Sequence, residues 1–306
     1  MISPTYGPDL ELMKSLTNGK FVESACSSDT HSIYTLGKCH WAGKTPFCDA
    51  VIAESPVYGN VLFIDNELQS ASADEAIYHE HLVHPVMTAM AQFQNKKVLI
   101  VGGGEGATAR EVLKWPVEQV SEVYWIDIDG DLVDMCRRHL RWADDSVYND
   151  KRLHFHAMDI RLFLERFKSQ FDIIILDLPD PDVDTLMAAE SITDDDYTLY
   201  GKRFWYSIQH HLVPNGAVVS HVGPISPGAD ESARRSGLKW VRESAINAGL
   251  GEGYPYHVCI PSFQGEWGFW MSVRPHESPN FPNGLRVMDS AVLNYAFTWP
   301  KYWETL

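Results

Sequence analysis

The chain has 306 residues, 45% of them apolar, which is enough for one large domain or a large one beside a small one. A formal charge of −16 opposes nucleic acid and anionic membranes and attracts polycations, and no apolar run approaches the about eighteen residues of a membrane span. Met1-Ile2-Ser3-Pro4 opens no signal peptide, and five scattered cysteines without CxxC spacing are those expected of a reduced, cytoplasmic protein.

In chain order, Asp9 to Leu16 is a short amphipathic helix and Ser24 to Thr30 a polar loop, with no chemistry assigned to residues 1–30. Ser32 to Leu36, Cys48 to Ser55 and Asn60 to Asp65 are extended runs broken by turn residues. They predict antiparallel strands of a small β domain, with a turn at Asp65-Asn66 and a return through Leu68-Gln69-Ser70. Asp74 to Pro85 opens a helix with acids in its first turn, where the dipole favours them. His79, His81 and His84 have metal-motif spacing there. On a helix, however, His79 and His81 point about 200° apart, and no aspartate follows in the required place, so no metal site is expected.

The organising stretch comes next. Lys97-Val98-Leu99-Ile100-Val101 reads as a buried parallel strand, and Gly102-Gly103-Gly104-Glu105-Gly106 turns the backbone into a helix carrying Val112 and Leu113. A second strand, Glu122 to Asp129, places Asp127 about twenty residues on, where a carboxylate can accept both hydroxyls of a ribose. A glycine turn can also serve only to pack a helix on a sheet; the flanking strand, helix and Asp127 favour an adenosine pocket. Glu105 stands where a pyrophosphate would need free amides. The turn therefore suits a cofactor with a cationic group, S-adenosylmethionine or a derivative, over a dinucleotide.

Helix Gly130 to Leu140, strand Leu153 to Ala157 leading to Asp159, helix Arg161 to Phe167 and strand Phe171 to Leu176 repeat the unit. The acids fall at strand carboxyl ends, where an open parallel sheet binds its ligands, so the fold reads as doubly wound α/β. Asp177 and Asp180 are the catalytic candidates, since Pro179 and Pro181 fix the shape of their loop. Asp182, Asp184 and Asp194-Asp195-Asp196 read as solvated. Helix Tyr200 to His211, a turn at Val213 to Gly216, strand Ala217 to His221, a helix over about 232–248 and a closing hairpin, Tyr256 to Pro261 with Trp267 to Val273, complete the chain.

Glu54 to Leu68 (ESPVYGNVLFIDNEL), Asp74-Glu75 with Tyr78-His79-Glu80, the GGGEG turn with Arg110 to Lys114, Asp177 with Asp180-Pro181, and Pro261-Ser262-Phe263 through Trp267-Gly268-Phe269 occur in the order seen in spermidine synthases. Over roughly residues 45–306 the chain resembles the polyamine aminopropyltransferase family. The resemblance implies a Rossmann-like class I S-adenosylmethionine-type transferase domain at 89–306, preceded by an N-terminal helix, loop and small antiparallel β domain at 1–88, assembled as a homodimer. It implies transfer of an aminopropyl group from decarboxylated S-adenosylmethionine to a di- or polyamine in polyamine biosynthesis, with no metal. Gln69 and Asp127 would hold the ribose, Asp159 the adenine amino group, and Gly102, Gly104 and Glu105 the donor, with Glu105 at its amino end. Tyr78, His79, Asp180 and Phe263 would line the acceptor side, and Asp177 would take the proton from the attacking amine.

Three positions depart from the family. Glu105 replaces the usual aspartate, Phe263 a tyrosine and His221 a glutamine. All three lie near the acceptor or the donor tail. Ordinary class I methyltransferases carry the acid two residues before the first glycine, where Ile100 stands here. Moving the negative charge into the turn favours a donor ending in an ammonium over one that also bears a carboxylate. The alternative is intact S-adenosylmethionine in aminocarboxypropyl or methyl transfer to a small metabolite, which Arg110 would favour by turning inward.

Overall fold

The longest apolar runs of the sequence become the middle of one sheet in the computed structural model, which describes residues 6–24, 31–183, 186, 198–225, 236–276 and 279–301. Strands β8 (Lys96–Gly102), β9 (Val120–Asp127), β10 (Leu153–Ala157), β11 (Phe171–Asp177) and β12 (Leu212–Ile225) are parallel. The chain closes with β13 (Tyr254–Ile260) and β14 (Gly265–Met271), and the order across the sheet is β10-β9-β8-β11-β12-β14-β13, the last two pairings antiparallel. Both faces of β8 are covered, which is why it lacks polar alternation. Val98 and Ile100 pack with α2 (Glu75–Ala89) and α3 (Ala107–Leu113), while Leu99 and Val101 pack with α6 (Ile160–Arg166), α7 (Lys202–His210) and α8 (Ser236–Asn247). Chain order reverses at β8, with β9 on one side and β11 on the other. The crevice this opens at the carboxyl ends receives Gly102, Asp127 and Asp177.

The small β domain is a five-stranded antiparallel sheet, β1 (Gly7–Pro8), β4 (Cys39–Lys44), β5 (Asp49–Ser55), β6 (Gly59–Ile64) and β7 (Glu67–Ala71), beside a pair formed by β2 (Lys20–Ser24) and β3 (His31–Thr35). The short helix α1 (Leu10–Leu16) lies against β4. The expected turn at Asp65-Asn66 has φ of 50° and 68°, the left-handed pair of a two-residue hairpin. Sequence patterning does not reveal β4, whose residues CHWAGK hardly alternate. Its Gly43 has room for no side chain, because a Cβ there would lie 2.1 Å from the Gly7 carbonyl oxygen. The hydroxyl of Thr45 donates to Asp129 Oδ2 at 2.5 Å, joining this domain to the start of α4 (Gly130–His139), which is followed by the single turn α5 (Asp145–Tyr148).

Two elements run further than their sequence signals. The loop expected at Val213–Gly216 lies inside β12, where Asn215 takes φ 66° and the register with β11 slips between Phe171 and Ile173, so the irregularity is absorbed within the strand. Helix α2 continues through Pro85 to Ala89. Pro85 has no N–H for the His81 carbonyl, and the buried Tyr256 hydroxyl donates to that carbonyl instead, at 2.8 Å. The acids Asp184 and Asp194–Asp196 lie outside the described residues. Tyr256→Phe should cost about 1 to 2 kcal/mol in urea unfolding by orphaning a buried carbonyl; a change within error would show that the helix needs no such partner.

Candidate active site

A cavity of about 670 Å³ occupies the crevice, walled by the strand tips on one side and the small β domain on the other. Gln69, Tyr78, Gly102, Gly104, Glu105, Asp127, Asp159, Asp177, Asp180 and Phe263 all line it; of the residues singled out from sequence only His79 lies just behind its wall. Among the described residues, ten acidic residues line the space, Glu23, Asp65, Glu67, Glu105, Asp127, Asp129, Asp159, Asp177, Asp180 and Glu266, beside the single arginine Arg161, although Glu266 is paired with His257 and Asp129 accepts from Thr45. That guanidinium is already held by Asp159, Nε to Oδ1 at 2.9 Å. A wall this acidic favours a cationic guest over an anionic one.

The glycine turn makes the site possible by letting two strand tips touch. Gly102 has φ 83°, and a Cβ on it would sit 2.0 Å from the Asp177 carbonyl oxygen. The Gly103 N–H donates to that same oxygen at 2.9 Å. The Asp177 carboxylate is then aimed by two neutral hydroxyls, Tyr78 on Oδ1 at 2.8 Å and Thr108 on Oδ2 at 2.5 Å, which orient its charge without cancelling it. At the tip of β9, Asp127 Oδ1 accepts the Asp129 N–H at 2.8 Å, leaving Oδ2 for a ligand. Burial, with Asp129 and Asp177 nearby, pushes the Asp127 carboxyl up to about 6 against that N–H. Asp159 caps α6 and accepts from the Arg161 side chain on both oxygens, which holds its carboxyl low. An adenine amino group would share oxygens already in use.

Beneath the turn, acceptor atoms of His79, Glu105 and Asp177 all lie within 4.8 Å of one another. His79 is buried and its Nδ1 faces the Glu75 carbonyl oxygen at 2.7 Å and Glu75 Oε2 at 3.1 Å, while its Nε2 has no hydrogen-bond partner among the described residues. Glu75 also receives Arg110 at 2.8 Å and Arg286. Burial would raise its carboxyl, but His79 and Arg110 hold it well below the ordinary range. Burial disfavours protonated His79, yet Glu75, Glu105 and Asp177 together raise its pKa. Burial pushes Glu105 up to about 7, opposed by His79 and assisted by Asp177. The other histidines of α2 diverge, His81 Nδ1 toward the Ile77 carbonyl at 2.7 Å and His84 Nε2 toward Glu111 at 2.9 Å.

Sequence reasoning quoted Asp74, Glu75, Glu80 and Arg110 within family motifs but gave the first three no role as supports. Asp74 accepts both the N–H and the hydroxyl of Ser262, at 2.7 and 2.8 Å, and so sets the turn that carries Phe263. Glu80 accepts the N–H groups of Arg286, Val287 and Met288. Arg110, the cation that could have turned inward, is held by Glu75, Glu111 and the Trp142 carbonyl. Thr108 and Glu23 carried no signal, and Glu67, though inside the Glu54–Leu68 motif, was given no role, because nothing in their spacing marks the wall they line.

The profile of the spermine/spermidine synthase domain matches residues 75–283. The chain belongs to the spermine/spermidine synthase family. The sequence-based resemblance therefore holds. A polyamine aminopropyltransferase of Synechococcus sp. is 34% identical over 240 residues, 77% of this chain and 71% of that protein. The thermospermine synthase ACAULIS5 of Arabidopsis thaliana is 34% identical over 258 residues, 83% of this chain and 70% of its own. Polyamine aminopropyltransferase 2 of Pseudomonas aeruginosa is 33% identical and matched over 78% of this chain and 63% of its own. The fold agrees with spermidine synthase from Thermotoga maritima, TM-score 0.76 at 20% identity over 99% of this chain and 96% of that one. A spermidine synthase solved with the transition-state analogue AdoDATO gives TM-score 0.77 at 20% identity, covering 99% and 97%. The Rossmann-like domain with a small antiparallel β domain is the family architecture. Within it, Glu75→Gln should lower stability by about 3 to 5 kcal/mol, the cost of leaving buried charges without their partner. Urea unfolding that moves by under about 1 kcal/mol would remove Glu75 as the hub of this family site.

Proposed function

We propose that the protein transfers an aminopropyl group from decarboxylated S-adenosylmethionine to an amine, releasing 5′-methylthioadenosine. The observation that carries this reading is the trio of His79, Glu105 and Asp177, whose acceptor atoms lie within 4.8 Å of one another. That proximity lets Glu105 take the donor's ammonium while Asp177 beside it serves the acceptor amine. An intact S-adenosylmethionine would bring its carboxylate into the same cage, where Arg110 is already committed to Glu75 and Glu111.

Asp127 and Gln69 hold the ribose in this reading, and the glycine turn passes beneath the donor with Glu105 at its amino end. The sulfonium is itself a good leaving group, so the protein has to align rather than activate it. Tyr78, Asp180 and Phe263 place the acceptor amine against the methylene next to sulfur. An alkyl amine has a pKa of about 10 and arrives protonated. Asp177 binds the ammonium and accepts its proton as the new C–N bond forms and the C–S bond breaks, leaving a neutral thioether.

Asp177→Asn should cut turnover at least about a hundredfold, because an amide cannot take the proton. Affinity for 5′-methylthioadenosine, which lacks the amine, should stay within a few-fold by calorimetry. Near-parental turnover would place the base elsewhere.

The cage also sets a pH dependence. Glu105 takes a proton below about 7, and an ammonium binds only its ionised form. The affinity ratio of decarboxylated S-adenosylmethionine to 5′-methylthioadenosine should therefore rise with pH through about 7 and fall by up to about tenfold per unit below it. A ratio flat across this window would detach Glu105 from the donor amine.

A further inference from the structure

The trio beneath the glycine turn also has the features of a metal site. His79 is buried, and its Nδ1 lies between two acceptors, the Glu75 carbonyl oxygen at 2.7 Å and Glu75 Oε2 at 3.1 Å, so the hydrogen of the neutral ring sits on Nδ1. That leaves Nε2 with a lone pair and no hydrogen-bond partner among the described residues. A metal-ligating histidine is oriented in this way, its second nitrogen donating to a carboxylate or a backbone carbonyl, and here both are present. A nitrogen of His79 and one carboxylate oxygen each from Glu105 and Asp177 lie within 4.8 Å of one another, the one such trio of candidate ligands among the described residues. Both Asp177 oxygens accept a hydroxyl hydrogen, from Tyr78 and Thr108, and each keeps a further lone pair. The nearby cations Arg110 and Arg286 are paired with Glu75.

We propose that His79 Nε2, Glu105 and Asp177 bind a divalent transition-metal ion, zinc in the first place, when no donor amine is there. The ion is a rival of the donor's ammonium for the same lone pairs and not a cofactor of the transfer; this competition, unlike the site itself, rests on the aminopropyl-transfer reading. One imidazole nitrogen and two carboxylates are a donor set that suits zinc. The two carboxylates balance its charge, and a fourth position is left to water. Zinc bonds of about 2.0 to 2.2 Å put ligand atoms about 3.4 Å apart, so a pair at the 4.8 Å limit closes by about 1.4 Å, a movement that rotation of the Glu105 carboxylate supplies.

The test is calorimetric titration of the full chain with zinc chloride alone at about pH 8, where the ligands are deprotonated. One zinc should bind per chain, and Glu105→Gln and His79→Ala should each weaken it at least about tenfold. Glu105→Gln decides alone if the His79 variant fails to fold. No saturable zinc uptake, or uptake that Glu105→Gln leaves unchanged, overturns the site while leaving the transfer reading standing. Saturating decarboxylated S-adenosylmethionine should weaken zinc binding at least about tenfold, and 5′-methylthioadenosine, which lacks the amine, by less than about threefold. Zinc held through Glu105 yet indifferent to decarboxylated S-adenosylmethionine upholds the metal site and removes the donor amine from the trio, so the two readings fail separately.

Discussion

Negative charge packed into a recess with almost no positive charge to meet it is the constraint on which the rest of this structure depends. Among the described residues, ten carboxylates line one cavity with a single guanidinium, and that one is bound to Asp159. Burial pushes the carboxyls of Glu105 and Asp127 up to about 7 and about 6, the direction expected of acids crowded away from water. A guest bearing ammonium groups relieves that repulsion, and an anionic or neutral guest does not.

Holding such charges in place requires a scaffold that orients without neutralising. Hydroxyls do this for Asp177 and Glu23, through Tyr78, Thr108 and Tyr34. Cations are kept one layer back. Arg110 and Arg286 meet Glu75, not the cavity, and Glu75 in turn aims His79. Removing the cations to that outer layer stabilises the fold and leaves the inner carboxylates available to a ligand. Glu105, His221 and Phe263, the three positions read from sequence as unusual, all lie on the inner layer. Each also preserves the sign of its surroundings. Glu105 keeps the charge on a longer arm, His221 keeps an acceptor nitrogen, and Phe263 keeps an aromatic wall.

Several features are legible in the chain because they follow from local rules. Four apolar residues before a glycine turn specify a buried strand and a sharp bend, acids after strands specify where an open sheet binds, and Asp65-Asn66 specifies a hairpin turn. Those rules are enough to put Gly102, Gly104, Glu105, Asp127, Asp159, Asp177 and Asp180 on one rim. The family motifs add Gln69, Tyr78 and Phe263, with His79 just behind the wall.

Other features exist only once distant segments meet. Strand β4 has too little alternation to announce itself, and helix α2 survives Pro85 only because Tyr256, far along the chain, donates to the freed carbonyl. The hub at Glu75 joins residues 75, 79, 110 and 286, so no local spacing encodes it. The extension of the cavity to Glu23 and Glu67 depends on how the small β domain faces the strand tips. The elements, the family and the rim of acids are written in the order of residues, because periodicity and turn chemistry act over a few positions. Which charges are compensated and which remain free for a ligand is settled only in the folded molecule, because that balance depends on burial and on distances between groups remote in the chain.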